Sequence, residues 1–118
     1  MKVLVVDDED DVRYVARLSL GRVGGMSVIE ASSGEEGVAR AKTDHPDFIL
    51  LDMMMPGMDG AATFQALRAC ADTASIPIVF LTAKSMAAEA QRLGAQGIIT
   101  KPFNPLTLAR ELTELLET

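Results

Sequence analysis

The sequence predicts an α/β protein built on a doubly wound parallel sheet of five strands in the order 2-1-3-4-5. Five short apolar runs alternate with five helical stretches along 118 residues, the pattern of a sheet covered by helices on both faces. The runs lack apolar/polar alternation, as strands buried on both sides do. Acidic, hydroxyl and amine residues sit at the C-terminal ends of the runs, the edge where open α/β sheets keep their sites. Right-handed crossovers restrict the topology to a two-layered winding, with the switch-point crevice between strands 1 and 3.

Residues 2–6 (K-V-L-V-V) form the first run, followed by Asp7, Asp8 and Glu9. A helix is expected from about Asp10 to Arg22, with Val12, Ala16, Ser19 and Val23 on one stripe, widened by Val15 and Leu18. Gly24-Gly25 stops it. Residues 26–31 form a second strand. Ser33 and Glu36 have the spacing of a capping box, which opens a helix running to about Asp44 before Pro46. The stretch 47–60 reads D-F-I-L-L-D-M-M-M-P-G-M-D-G, a buried strand at 48–51 that runs into Asp52, then a turn at Pro56-Gly57. A helix from about Asp59 to Ala71 presents Gly60, Phe64, Leu67 and Ala71 on one face. Residues 76–81 form a fourth strand, ending in Thr82, Ala83 and Lys84; Pro77 is tolerable at its start. A short helix over about 86–93 precedes a strand at 97–100. Asn104-Pro105 reads as an N-cap with proline at the first helical position, and the last helix carries Leu108, Leu112 and Leu115 toward the chain's end at Thr118.

Composition narrows the function classes. Hydrophobic residues make up 48% of the chain, enough for one core and one domain over 1–118. No apolar run reaches the length of a membrane span, and the first run is too short for a signal peptide. Cys70 is the one cysteine, which excludes an internal disulfide and fits a cytoplasmic chain. A net charge of −6 argues against nucleic-acid binding by this chain alone.

Asp7 and Asp8 end strand 1, Asp52 ends strand 3, Thr82 ends strand 4 and Lys101 follows strand 5, so all five converge on one edge. Each alone reads as a turn former or helix cap. Together they place three carboxylates close enough that two charges ~4 Å apart, at an effective dielectric of ~20, repel by about 4 kcal/mol. A shifted proton, Lys101 or a cation must offset that. Carboxylate oxygens with no His or Cys nearby suit Mg²⁺, which also binds phosphate. Acids, a metal, a hydroxyl and an ammonium equip a site for phosphoryl transfer, with Asp52 as the nucleophile.

The pieces V-L-V-V-D-D-E at 3–9, L-L-D-M-M-M-P-G-M-D-G at 50–60, P-I-V-F-L-T-A-K at 77–84 and K-P-F at 101–103 come in a recognisable order over essentially the whole chain. In them the sequence resembles the response-regulator receiver domains of two-component signalling, the CheY-like family with a flavodoxin-like fold. The resemblance implies Asp52 as phosphoacceptor. It implies Mg²⁺ held by Asp8 directly, Asp7 mainly through water, Asp52 and the Met54 carbonyl. Thr82, Ala83 and Lys101 would bind the phosphoryl group, and the Lys101–Pro102 peptide would be cis. The donor would be a sensor histidine kinase or histidine phosphotransfer protein. The output would be an effector protein or a covalently linked output domain. Such a chain catalyses only its own phosphorylation and slow dephosphorylation, so it is not an enzyme in the usual sense.

Two departures affect the read-out. Relatives carry Tyr or Phe three residues before the lysine, where this chain has Ile98, so the switch pair would be Thr82 and Ile98. The nineteen positions from Thr82 to Lys101 are also fewer than usual by roughly one helical turn, which points to a shortened fourth helix region. Met54 and Lys84 stand at the two positions that tune water access in relatives and imply a phosphoryl lifetime of minutes or longer. His45 reads as a solvated loop residue, Cys70 as packing, Met53 to Met55 as loop, and Tyr14 as a surface aromatic, either unpartnered or part of a kinase-docking face. A phosphohydrolase would need its nucleophile after strand 1. A flavin-binding module would need a glycine-rich phosphate loop where Asp7-Asp8-Glu9 stands. A phosphorylation-independent interaction module is the alternative that Ile98 keeps open.

Overall fold

The computed structural model describes residues 1–117; the predicted chain end at Thr118 lies outside them. Five parallel strands form one sheet in the order β2-β1-β3-β4-β5. They are β1 (Lys2–Val6), β2 (Ser27–Ala31), β3 (Phe48–Asp52), β4 (Ile78–Thr82) and β5 (Gly97–Thr100). The helices are α1 (Asp10–Leu18), α2 (Gly34–Asp44), α3 (Gly60–Ala69), α4 (Ala87–Arg92) and α5 (Leu108–Leu116). The predicted fold class and strand order are those observed.

Side chains alternate across each strand and so divide the core in two. Leu4, Val6, Ile49, Leu51, Ile78 and Phe80 pack with Ala41, Phe64, Leu67 and Ala90 from α2, α3 and α4. Val3, Val5, Phe48, Leu50, Val79, Leu81 and Ile99 pack with Ala16, Leu20, Leu108, Ala109 and Leu112 from α1 and α5. β3 and β4 are buried along their whole lengths, which is why their sequences are continuous apolar runs.

Several local boundaries differ from the sequence reading. The predicted first helix is α only to Leu18 and continues as a π turn over Ser19–Val23. There the Gly24 amide reaches the Ser19 carbonyl at 3.1 Å, a span of five residues. The wider turn breaks the 3.6-residue spacing. Leu20 is therefore buried, while Val23, assigned to the stripe by α spacing, is 57% exposed. α3 ends at Ala69, and Ala71 is exposed. Thr73 Oγ1 donates to the Leu67 carbonyl at 2.6 Å, and Arg68 donates to the carbonyls of Ala74 and Ile76, which turns the chain early. β4 begins at Ile78 and includes Thr82. Ser33 caps α2 by accepting from the Glu36 amide, but Glu36 returns its bond to the Ser32 amide, one residue before the expected partner. Asn104 caps a turn at Leu106, and α5 begins only at Leu108.

The remaining expectations on single residues can be placed. His45 is an exposed left-handed residue ending α2 (φ 47°). Tyr14 is exposed, with the Arg17 guanidinium over its ring at 5.2 Å. Met53 to Met55 lie in the loop after β3 as expected, and within it Met53 and Met55 are buried against the core. A short 3₁₀ turn (Lys84–Met86) and the six-residue α4 account for the shortened segment after Thr82. The Lys101–Pro102 peptide is cis.

Candidate functional site

Asp52 is the last residue of β3 and is 2% exposed. β3 lies between β1 and β4, so its end is flanked by theirs. Asp7 follows β1 directly and is fully buried; its amide is bonded to the Ala31 carbonyl at 3.1 Å, which extends the β1–β2 ladder to this point. The Arg13 guanidinium from α1 donates to the Asp7 carbonyl at 2.6 Å, and the Glu9 amide donates to Asp7 Oδ1 at 2.8 Å. These bonds fix Asp7 from both sides. Asp52 Oδ1 accepts from the Met54 amide at 3.3 Å. Gly60 closes the loop beyond, its amide donating to the Met53 carbonyl at 2.9 Å.

One carboxylate oxygen from each of Asp7, Asp8 and Asp52 lies within 4.8 Å of the others. Lys101 reaches this cluster from beyond β5, anchored by its own amide, which donates to the Thr82 carbonyl at 2.8 Å. Its Nζ is 3.1 Å from Asp7 Oδ2, 3.3 Å from Asp52 Oδ1 and 3.4 Å from Glu9 Oε1. Glu9 is the residue that sequence reasoning missed. The D-D-E run signalled it, but an acid one residue before a helix reads equally as a dipole-favoured start to that helix.

The electrostatics follow from burial. Loss of solvent, then the Asp7 charge, raises the Asp52 pKa to about 6, against the pull of Lys101 and the Met54 amide. Burial likewise raises Asp7 above the ordinary carboxylate range. For Lys101, burial acts downward, but its hydrogen bond and charge contacts with Asp7 and Asp52 outweigh it, and its pKa is raised. Asp52 is therefore mostly ionised at neutral pH, and three acids, Asp7, Glu9 and Asp52, share one ammonium.

The site fits a divalent cation. Asp52 Oδ2 is buried with neither a hydrogen bond nor an ion pair, and Asp7 Oδ2, also buried, is met by the Lys101 ammonium at 3.1 Å. Buried carboxylate charge of this kind costs free energy that a further cation or a proton would offset. The donors are all hard oxygens, matching Mg²⁺. The other predicted residues are nearby, though not all in contact. Thr82 is buried, and its hydroxyl donates to the neighbouring Ala83 carbonyl at 3.3 Å rather than to Asp52. Ala83 precedes the 3₁₀ turn that carries Lys84. The Met54 side chain is 60% exposed. Ile98 pairs with Phe80 across the β4–β5 ladder and packs, half-buried, against the α2–α3–α4 side of the core.

Comparison with known proteins gives the family. The family described as "Response regulator receiver domain" matches residues 3–113. The chain belongs to that family. This receiver is 38% identical over 118 residues to "Probable transcriptional regulator ycf27" of Porphyridium aerugineum, covering 98% of this chain and 48% of that protein. It is 32% identical to "Protein PilH" of Pseudomonas aeruginosa, covering 98% and 97% respectively. The chain thus spans about half the length of several curated relatives, while PilH matches it end to end. Among solved structures, the Vibrio cholerae chemotaxis protein CheY4 superposes with a TM-score of 0.85 at 34% identity, covering 97% of each chain. Among the described residues no helix is long and apolar enough to cross a membrane.

Proposed function

We propose that Asp52 accepts a phosphoryl group from a phosphohistidine donor and that the receiver relays this event to a partner. The observation that carries the reading is Asp52 itself: a buried carboxylate, ionised at neutral pH, with one oxygen lacking any hydrogen bond, beside two further acids and an ammonium. In the transfer, an Asp52 oxygen attacks phosphorus. The O–P bond forms as the P–N bond breaks, and the departing imidazole nitrogen keeps the electron pair and takes a proton from solvent. Lys101 offsets negative charge on the transferring oxygens. The Thr82 hydroxyl turns from the Ala83 carbonyl to donate to the phosphoryl group, and the Ala83 amide adds a second donor. Asp7, Asp8, Asp52 and the Met54 carbonyl would hold Mg²⁺, which when bound supplies charge neutralisation at the phosphoryl oxygens.

The donor in this reading is a sensor histidine kinase or histidine phosphotransfer protein. The output is a separate effector, as full-length matches such as PilH suggest, or a linked domain, as relatives of twice the length suggest. The receiver works in the cytoplasm, makes no direct nucleic-acid contact with its net charge of −6, and turns over nothing but its own aspartyl phosphate.

Incubation with acetyl phosphate and Mg²⁺, followed by intact mass measurement, tests the reading. Wild type gains the mass of one phosphoryl group; Asp52→Ala and EDTA-treated wild type do not. Met54 and Lys84, both exposed, stand at the positions that tune water access in relatives, so the label is expected to persist for minutes or longer once donor is removed. Equal labelling of Asp52→Ala refutes the assignment. An unlabelled wild type would favour the phosphorylation-independent interaction module that Ile98, aliphatic and packed on the core, keeps open.

A further inference from the structure

Lys101 has three acidic partners, and they differ in kind. Asp7 and Asp52 are buried members of the carboxylate cluster, whereas Glu9 lies outside that cluster and its side chain is 60% exposed. Glu9 precedes α1, yet its side chain makes no capping bond there. Its Oε1 instead accepts from Lys101 Nζ at 3.4 Å. Lys101 is held by its backbone to Thr82, so the ammonium is tethered and has a limited choice of partners.

We infer that Glu9 is a positioning residue that acts through Lys101, competing with the phosphoryl group for its ammonium and so setting how strongly the receiver holds that group. The inference rests on the phosphoacceptor reading of Asp52. A cation bound by Asp7, Asp8 and Asp52 takes up their charge and leaves Glu9 as the acid still available to Lys101. A phosphoryl group on Asp52 must then draw the ammonium from a partner that is solvated and easily re-paired. Because the Glu9 side chain is exposed and makes no capping bond, its replacement leaves the fold intact.

Beryllofluoride, which stands in for a phosphoryl group on a carboxylate, provides the probe, titrated with Mg²⁺ and followed by fluorine NMR. Glu9→Gln should bind it more tightly, by about two- to fivefold, the range that partly exposed ion pairs sustain. Glu9→Asp keeps the charge but shortens the reach, and should behave like Glu9→Gln. In a Lys101→Ala background the gain from Glu9→Gln should vanish, since coupled residues are not additive. An unchanged affinity in Glu9→Gln, a Glu9→Asp variant equal to wild type, or a gain that survives Lys101→Ala overturns the proposal; the last two would mean that only the charge at residue 9 matters. Wild type that binds no beryllofluoride with Mg²⁺ overturns the phosphoacceptor reading and this one with it, whereas wild type that binds while Glu9→Gln shows no gain overturns this one alone. Thermal unfolding of each variant in EDTA confirms that the fold is unchanged.

Discussion

Asp52 carries two opposed demands at the residue scale. In the role proposed for it, Asp52 must be buried to face a phosphoryl group away from water, and it must be ionised to attack. Burial and Asp7 lift its pKa from 3.8 to about 6, so both are met at neutral pH but at a cost in stability. The sign is fixed by linkage. Below about pH 4 the residue is protonated in folded and unfolded chains alike. As pH rises, the unfolded chain ionises first, so the Asp52 contribution to the stability of the metal-free protein falls from about pH 4 to about pH 6, then levels off. Asp7, also raised, acts in the same direction. Glu36, whose pKa is lowered, acts in the opposite direction, so the fall is read as the difference between wild type and Asp52→Asn. Thermal unfolding in EDTA across this range should show the fall. Mg²⁺ should raise the melting temperature at pH 7.5 and hardly at pH 4.5. Asp52→Asn should stabilise the metal-free protein at pH 7.5 by about 1–3 kcal/mol, the scale of a two-unit shift, and blunt the Mg²⁺ response. Equal Mg²⁺ effects at the two pH values would contradict the account.

At the scale of elements, glycines decide how closely α3 approaches the strand that ends in Asp52. A Cβ on Gly60 would lie 2.4 Å from the Asp52 carbonyl oxygen and 2.5 Å from Met53 Cα, both backbone atoms that cannot yield without moving the site. Gly60→Ala should therefore cost about 1–3 kcal/mol or more in urea unfolding and reduce labelling of Asp52. Gly21, in the π turn, meets only the Met26 carbonyl at 3.8 Å, so Gly21→Ala should be neutral or stabilising by up to about 1 kcal/mol. The segment between Thr82 and Lys101 is a second element-level question. Under the proposed function, its 3₁₀ turn, six-residue α4 and aliphatic Ile98 would leave little to reorganise if Thr82 turned toward a phosphoryl group. Amide exchange over 83–100 should change less on adding beryllofluoride than it does in a relative with an aromatic at that position; an equal response would refute this.

Across the whole molecule, the two halves of the core share the same strands. Phe48 and Leu50 face the α1–α5 side while Ile49 and Leu51 face α2, α3 and α4, so neither side can open without the other losing its wall. Unfolding should be a single cooperative transition by every probe. Leu50→Ala should lower stability by about 2–5 kcal/mol with an unchanged urea slope, although it touches only one side. Separate transitions for the two sides would show that the sheet does not couple them.

Much of this was legible in the chain. Apolar runs that need burial on both faces dictated the parallel sheet and its helical cover. The acids, the threonine and the lysine at the run ends marked the edge where the site lies. The π turn after Leu18 was not legible, because Ser19 to Val23 suit α spacing equally well, and the wider turn appears where Leu20 is drawn into the core. The offset of the Glu36 bond to Ser32 and the late start of α5 after Asn104 were also settled by neighbouring packing. So was the partner set of Lys101. By itself the sequence determined which elements form and which reactive residues reach one edge, since periodicity and strand ends are local properties. Tertiary structure alone decided that Asp52 keeps a buried oxygen without a hydrogen bond, and that Asp7, Glu9 and Asp52 share Lys101. Those are through-space distances between residues 49 to 94 positions apart, set by strand order and rigid packing that no local pattern encodes.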